Sequence, residues 1–125
     1  MPVKIPSDFC ERFKTAFNAG DVDGLVDLYA DEIVAVPNPG NRLSGKDELR
    51  GALGFFLGLP NPRLDFTTEA VVEGPDTALF YGAWVFDADA EEDEDPTHID
   101  ARAIVVLERR DDGWYAVLDD FFAQG

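Results

Sequence analysis

Apolar residues in the first part of the chain recur at helical spacing, and those after it alternate with polar ones. Phe9, Phe13, Ala16 and Phe17 fall on one face of a helix. Ser7 is positioned to cap it, with Asp8 and Glu11 near its positive end. Asn18-Ala19-Gly20 stops this helix, Gly20 being free to take the left-handed conformation of a helix terminus. Asp21 then caps a short second helix with Val22, Leu25, Leu28 and Tyr29 facing inward. Ile33-Val34-Ala35-Val36 is short and mostly β-branched, a strand pattern, and Pro37 to Asn41 reads as a turn-rich loop. Ser44 is the expected cap of a third helix, with Leu49, Ala52, Leu53 and Phe56 on one stripe and Pro60 and Pro62 beyond its end.

From Arg63 onward the period changes to two. Arg63 to Val72, Thr77 to Phe86, Ile99 to Arg109 and Trp114 to Phe122 read as four strands. Glu73-Gly74-Pro75-Asp76, residues 87–97 and Asp111-Asp112-Gly113 connect them. Helices gathered early and consecutive hairpins afterwards predict an α+β fold with an antiparallel sheet, in one domain spanning residues 1–125.

The last connection sets a register. Read as a three-residue hairpin loop, Asp111-Asp112-Gly113 pairs Arg110 with Trp114 and therefore Ile104 with Asp120. Asp100, Arg102, Ile104, Asp120 and Phe122 then share one face. Asp120 and Arg102 become diagonal neighbours, within reach of a long side chain. A bulge in either strand would bring Asp119 onto that face instead. Asp100, Arg102 and Asp120 are accordingly the candidate catalytic group. Two carboxylates around one guanidinium in an apolar setting acquire different proton affinities and can act as acid and base. The alternative is a structural ion pair at the sheet rim. The aromatic residues are mostly core by default, and an excess among them is available to line a pocket. Phe13, Phe17, Tyr29, Phe56, Tyr81 and Trp84, with Val36, are the candidate walls of a small-molecule pocket.

Net charge narrows the partners. It is −16 overall, with −3 in residues 1–62 and −13 in residues 63–125. Such a field repels phosphate backbones and anionic membrane surfaces, so neither nucleic acid nor membrane is an expected partner. No run approaches the length of a membrane-spanning segment. Cys10 is the only cysteine, which fits a reducing, cytoplasmic setting. Both faces of the last hairpin are apolar, so one is expected to cover the helices or a cavity and the other to form a homodimer through the sheet.

Three further patterns fail on inspection. Gly40-Asn41-Arg42-Leu43-Ser44-Gly45-Lys46 has phosphate-loop spacing, but Asp47 stands where Ser or Thr would hold magnesium. Asp87, Asp89 and Glu91 open like a calcium loop, but Glu92 replaces the required Gly and His98 the closing Glu. His98, the only histidine, has no Cys or His at ligand spacing. No metal and no cofactor is expected.

The run Phe17-Asn18-Ala19-Gly20-Asp21-Val22-Asp23-Gly24-Leu25, then Leu28-Tyr29-Ala30-Asp31-Glu32, Ser44-Gly45-Lys46-Asp47-Glu48-Leu49-Arg50, Arg109-Arg110-Asp111-Asp112-Gly113-Trp114 and Asp119-Asp120-Phe121 carries a resemblance. In this order the segments resemble the nuclear transport factor 2-like superfamily, and within it the SnoaL-like or ketosteroid-isomerase-like group. The resemblance implies a cystatin-like cone of curved sheet wrapped over three helices, an apolar pocket binding a small apolar molecule, and a dimer. It does not imply one reaction, because the group includes isomerases, cyclases, hydrolases, dehydratases and proteins without a known reaction. Matched to ketosteroid isomerases, the base position falls at Val36 and the oxyanion tyrosine at Phe13, while Asp100 matches the oxyanion aspartate. That disfavours steroid-type isomerisation. Asp100, Arg102 and Asp120 also resemble the water-activating Asp–Arg–Asp group of limonene-epoxide-hydrolase-like members, with the order of Arg and Asp on the first strand reversed. The expected function is thus a pocket protein, either a cofactor-free isomerase, cyclase or hydrolase working by carboxylate acid–base chemistry, or a non-catalytic binding or assembly domain.

Overall fold

The structure, a computed structural model, describes residues 3–38 and 40–123. A 3-10 turn at Pro6–Asp8 leads into α1 (Phe9–Asn18) and α2 (Val22–Val26), and α3 (Lys46–Leu57) follows the second strand. The strands are β1 (Tyr29–Asn38), β2 (Asn41–Ser44), β3 (Arg63–Glu73), β4 (Thr77–Ala88), β5 (Thr97–Arg110) and β6 (Gly113–Asp120). They form one curved, open sheet in the order β2-β1-β6-β5-β4-β3. The expected α+β architecture, three helices against the concave side of a sheet, is the architecture the chain adopts. All neighbouring strands are antiparallel except β1 and β6, which run parallel.

Alternation along the strands explains how the helices are held. Leu64 and Phe66 of β3 and Ala78, Phe80, Trp84 and Phe86 of β4 are buried on the concave face. The α1 stripe packs on them edge to face. Phe13 meets Phe66 at 5.6 Å between ring centres, and Phe17 meets Phe86 at 5.8 Å. Gly82 interrupts the row for lack of space, since a Cβ there would lie 2.7 Å from the Phe66 ring and 2.8 Å from the Phe80 ring. The end of α1 is stitched to the sheet edge. Asn18 Nδ2 donates to the Leu64 carbonyl (2.8 Å) and the Leu64 N–H donates to Asn18 Oδ1 (2.9 Å). Gly20 takes the left-handed conformation at φ 71°, and Asp21 Oδ1 accepts from the Gly24 N–H at 2.9 Å, capping α2 as expected.

Several expected boundaries move. Tyr29 leaves the second helix and opens β1, which runs well past Val36. The supposed loop after Val36 holds the end of β1 and then β2, a short edge strand too brief to show a pattern of its own. Ser44 belongs to β2 and caps nothing. Gly45 is the N-cap of α3, and Glu48 Oε1 reaches back to accept from the Ser44 N–H at 2.9 Å. The last hairpin closes on two residues, Asp111 and Asp112, with Arg110 opposite Gly113.

α3 carries two glycines in its interior. Gly51 and Gly54 are both exposed, and a Cβ at either meets nothing within 4 Å. Interior Gly destabilises a helix by about 0.5–1 kcal/mol relative to Ala. Gly51→Ala and Gly54→Ala should therefore each raise stability by roughly that amount in chemical denaturation. A loss of stability would mean that α3 packs differently from this description.

Candidate functional site

The final strand places the site. Counted from the two-residue turn, plain alternation would put Asp119 opposite Ile104, on the convex face. Val117 intervenes as a bulge. Leu107 pairs with Ala116 but Val106 pairs with Leu118, so one residue of β6 is extra. Such a bulge reverses which face the following residues occupy. Asp119 consequently pairs with buried Val105 and turns inward, while Asp120 pairs with Ile104 and turns outward. The expected Ile104–Asp120 pairing is observed, produced by a shorter hairpin and a bulge that offset each other.

Asp119 is 3% exposed, the one charged residue type buried to this degree among the described residues. The Tyr29 hydroxyl, itself wholly buried, donates to its Oδ2 at 2.6 Å. Asp119 Oδ1 is buried with no hydrogen-bond partner among the described residues. This side chain lines a cavity of ≈ 50 Å³. The helices contribute Phe13, Phe17, Leu53 and Phe56 to its wall. The sheet and the turn after it contribute Leu64, Phe66, Trp84, Phe86, Ala103 and Phe121. Every wall residue except Asp119 is hydrocarbon or aromatic. A single water needs about 10–15 Å³ and an apolar cavity that binds benzene about 150 Å³, so the space as it stands takes a few waters or a small ligand group, and an aromatic ring enters only if the walls give way.

Burial pushes the Asp119 carboxyl up to about 7. The Tyr29 hydrogen bond opposes this by favouring the anion, and the charge of neighbouring Asp120 adds to it. The Tyr29 hydroxyl is held well above the usual phenol range by burial and by the Asp119 charge. The end of β6 is fixed by the Trp84 indole N–H, which donates to the Phe121 carbonyl at 2.7 Å, and by the Phe121 N–H, which donates to the Val36 carbonyl at 3.1 Å.

The sequence-predicted residues divide. Phe13, Phe17, Phe56 and Trp84 line the cavity. Tyr29 supports it from behind through Asp119. Val36 and Tyr81 do not line it: each pairs within the convex-face row that contains Asp120 and Ile104. Asp100 and Arg102 are exposed on that convex face, because their parity on β5 is opposite to that of Ala103 and Val105. Arg102 donates to Glu69 Oε1 at 2.7 Å, and Glu69 is the bulged residue of β3. Asp120 Oδ1 accepts from the Phe122 N–H at 3.0 Å and so shapes the turn after β6. Phe122 leaves the expected face to pack against Trp84, 5.3 Å between ring centres. Asp100, Arg102 and Asp120 are thus brought to one face, and the cavity opens on the other. The bulge considered from the sequence would have brought Asp119 beside Asp100 and Arg102; combined with the two-residue turn it leaves Asp119 on the opposite face, toward the cavity.

Elsewhere, His98 Nδ1 shares a hydrogen bond with Asp87 at 2.6 Å, which raises its pKa, and Asp89 is held by Arg63 and Asn61. Among the described residues, no group of three or more His, Cys, Asp or Glu side chains is arranged to hold a metal ion, and no helix is long and apolar enough to cross a membrane.

The sign of the Asp119 effect on stability is fixed by its direction. The folded protein binds this proton more tightly than the unfolded chain, so the stability that Asp119 contributes is fully present below about pH 4 and is lost as pH rises through about 7. Asp119→Asn removes this dependence while keeping an acceptor for Tyr29. Urea unfolding between pH 4 and 8 should show the wild type losing stability relative to the variant by on the order of a few kcal/mol. A constant difference between the two would place the carboxyl in water.

Solved structures resemble the whole fold at low sequence identity. A conserved protein from Planctomyces limnophilus superposes with a TM-score of 0.82 at 19% identity, over 93% of this chain and 91% of that one. A nuclear transport factor 2-like protein of unknown function from Shewanella oneidensis gives 0.72 at 21% identity, over 95% and 100%. A protein of unknown function with a cystatin-like fold from Nostoc punctiforme gives 0.75 at 17% identity, over 94% and 87%. At such identities the likeness concerns the fold. No protein of curated function matches the chain. The SnoaL-like domain profile matches residues 10–117, nearly the whole length, and the chain belongs to this family within the nuclear transport factor 2-like superfamily.

Proposed function

We propose that the chain binds a small, largely apolar molecule in the concave cavity, with Asp119 Oδ1 as its polar anchor. The observation that carries this reading is an unpartnered carboxylate oxygen, buried in the wall of an otherwise hydrocarbon cavity. A buried polar atom left without a hydrogen bond costs about 1–3 kcal/mol, more when charged, and a ligand atom placed against Oδ1 removes that cost. Filling the cavity by Ala103→Met tests the site. Toluene and acetophenone should raise the melting temperature of the wild type and leave that of the variant unchanged. Equal shifts in both proteins would locate binding elsewhere.

A second reading, acid–base catalysis without a cofactor, is favoured by the carboxyl titrating at about 7, where a general acid or base works best at neutral pH. It moves the chemistry from Asp100, Arg102 and Asp120 to Asp119. Under this reading the protein accelerates exchange of the α-hydrogens of acetophenone in heavy water, and Asp119→Asn lowers that rate by about 10²–10⁴-fold. An unchanged rate in the variant leaves binding alone.

The convex face supports a homodimer. Val34, Leu118, Val106, Leu79 and Val72 form one row of register from β1 to β3. Leu118, Leu79 and Val72 are 44%, 40% and 64% exposed, on a face that would be polar if it met water alone. In a chain of net charge −16, an uncharged stripe laid on its own two-fold copy avoids repulsion between like surfaces. Sedimentation should give a dimer for the wild type and a monomer for Leu118→Glu. A monomeric wild type at tens of micromolar would remove the convex face from consideration.

A further inference from the structure

Resting on the pocket reading above, we propose that the ligand is a small hydrophobic amine, bound as its ammonium ion with Asp119 Oδ1 as counter-ion. Three observations converge on a cation. The first is what Tyr29 does. Its single hydroxyl proton is donated to Asp119 Oδ2, which favours the acceptor-only carboxylate and leaves Oδ1 as the atom a ligand meets. The second is what the wall lacks. None of the residues lining the cavity carries a positive charge, and Asp119 is the one titratable group among them. A buried carboxylate without a counter-charge is held either by a proton or by a cation supplied from outside. The third is the field. At net charge −16 the protein concentrates cations and repels anions.

The rest of the cavity suits such a ligand. Phe13, Phe17, Phe56, Phe66, Phe86 and Trp84 offer ring surface to the hydrocarbon part, and ring faces also attract an ammonium group. No anchor for a second polar group is present in the wall, so the ligand has one nitrogen and is otherwise apolar.

The inference fixes a pH dependence opposite to that of a neutral ligand. Asp119 faces Tyr29 from β1 and feels Asp120 beside it on β6, whereas α1, α3, β3, β4 and β5 bring only apolar groups to the cavity. An ammonium ion requires the carboxylate, so its binding displaces the proton from Asp119. A ketone or other pure acceptor requires the protonated acid.

Benzylamine, benzyl alcohol and toluene, similar in size and differing at the polar atom, separate the outcomes by calorimetry and ligand-observed NMR. Benzylamine affinity should rise about tenfold between pH 6 and pH 8, and at pH 6 binding should release protons, seen as a dependence of the heat on the buffer. Asp119→Asn should weaken benzylamine at least tenfold and leave toluene unchanged. If the variant does not fold, the wild-type pH series and the proton release decide alone. Benzyl alcohol binding as well as benzylamine, or benzylamine affinity flat or falling with pH, overturns the amine assignment and leaves the pocket standing. Failure of all three probes to bind, toluene included, overturns the pocket as well.

Discussion

A carboxylate removed from water is the constraint around which the concave face is arranged. Desolvation of an ionised group costs far more than one hydrogen bond returns, so such a group is retained only with compensation. Here Tyr29 supplies one strong bond to Oδ2, and no described residue supplies one to Oδ1. The proton is therefore held to near neutrality, and the protein carries at its centre a carboxyl whose charge changes near pH 7. The surrounding Phe and Trp rings make this possible. They surround it with hydrocarbon, and their edge-to-face contacts fix the walls around the carboxyl.

Backbone geometry, more than any side-chain cluster, delivers the carboxyl to that place. The two-residue turn at Asp111-Asp112 and the bulge at Val117 together decide that Asp119 points in and Asp120 points out. The parallel pairing of β1 with β6 brings Ala35 beside Asp119, and the irregular stretch of β1 between Tyr29 and Val34 lets the tyrosine reach across to it. Trp84 and Val36 then pin the turn at Phe121. Each anchor comes from a different element, so the site exists only in the folded chain.

Much of this was legible in the sequence, and the limit falls at one place. The stripe of Phe9, Phe13 and Phe17, the Asp21 cap and the alternation after Arg63 identify the helices and long strands, because burial on one face imposes a period. Four of the cavity aromatics, Phe13, Phe17, Phe56 and Trp84, follow from the same reasoning. What periodicity cannot give is which of two apolar faces turns toward the helices. The shorter turn and the extra residue at Val117 offset each other, so the expected Ile104–Asp120 pairing holds, but it is the other face, with Ala103, Val105 and Asp119, that meets the cavity. Asp100, Arg102 and Asp120 do fall together, but on the side away from the cavity, where Arg102 pairs with Glu69. Tyr29 was placed on the second helix for a similar reason: its inward direction was right, while the chain had already become a strand.

The central claim is that Asp119 is buried in the wall of an apolar cavity, with no cationic side chain in that wall, so that its carboxyl keeps its proton up to near neutrality. Carbon-13 NMR of the aspartate side-chain carboxyl, assigned through Asp119→Asn, measures this directly. The account predicts that this resonance titrates at about 7, apart from the other aspartates, and moves further up in Tyr29→Phe. Titration near the ordinary aspartate value of about 4, unmoved by loss of the Tyr29 hydroxyl, would mean a hydrated carboxylate and would contradict the account.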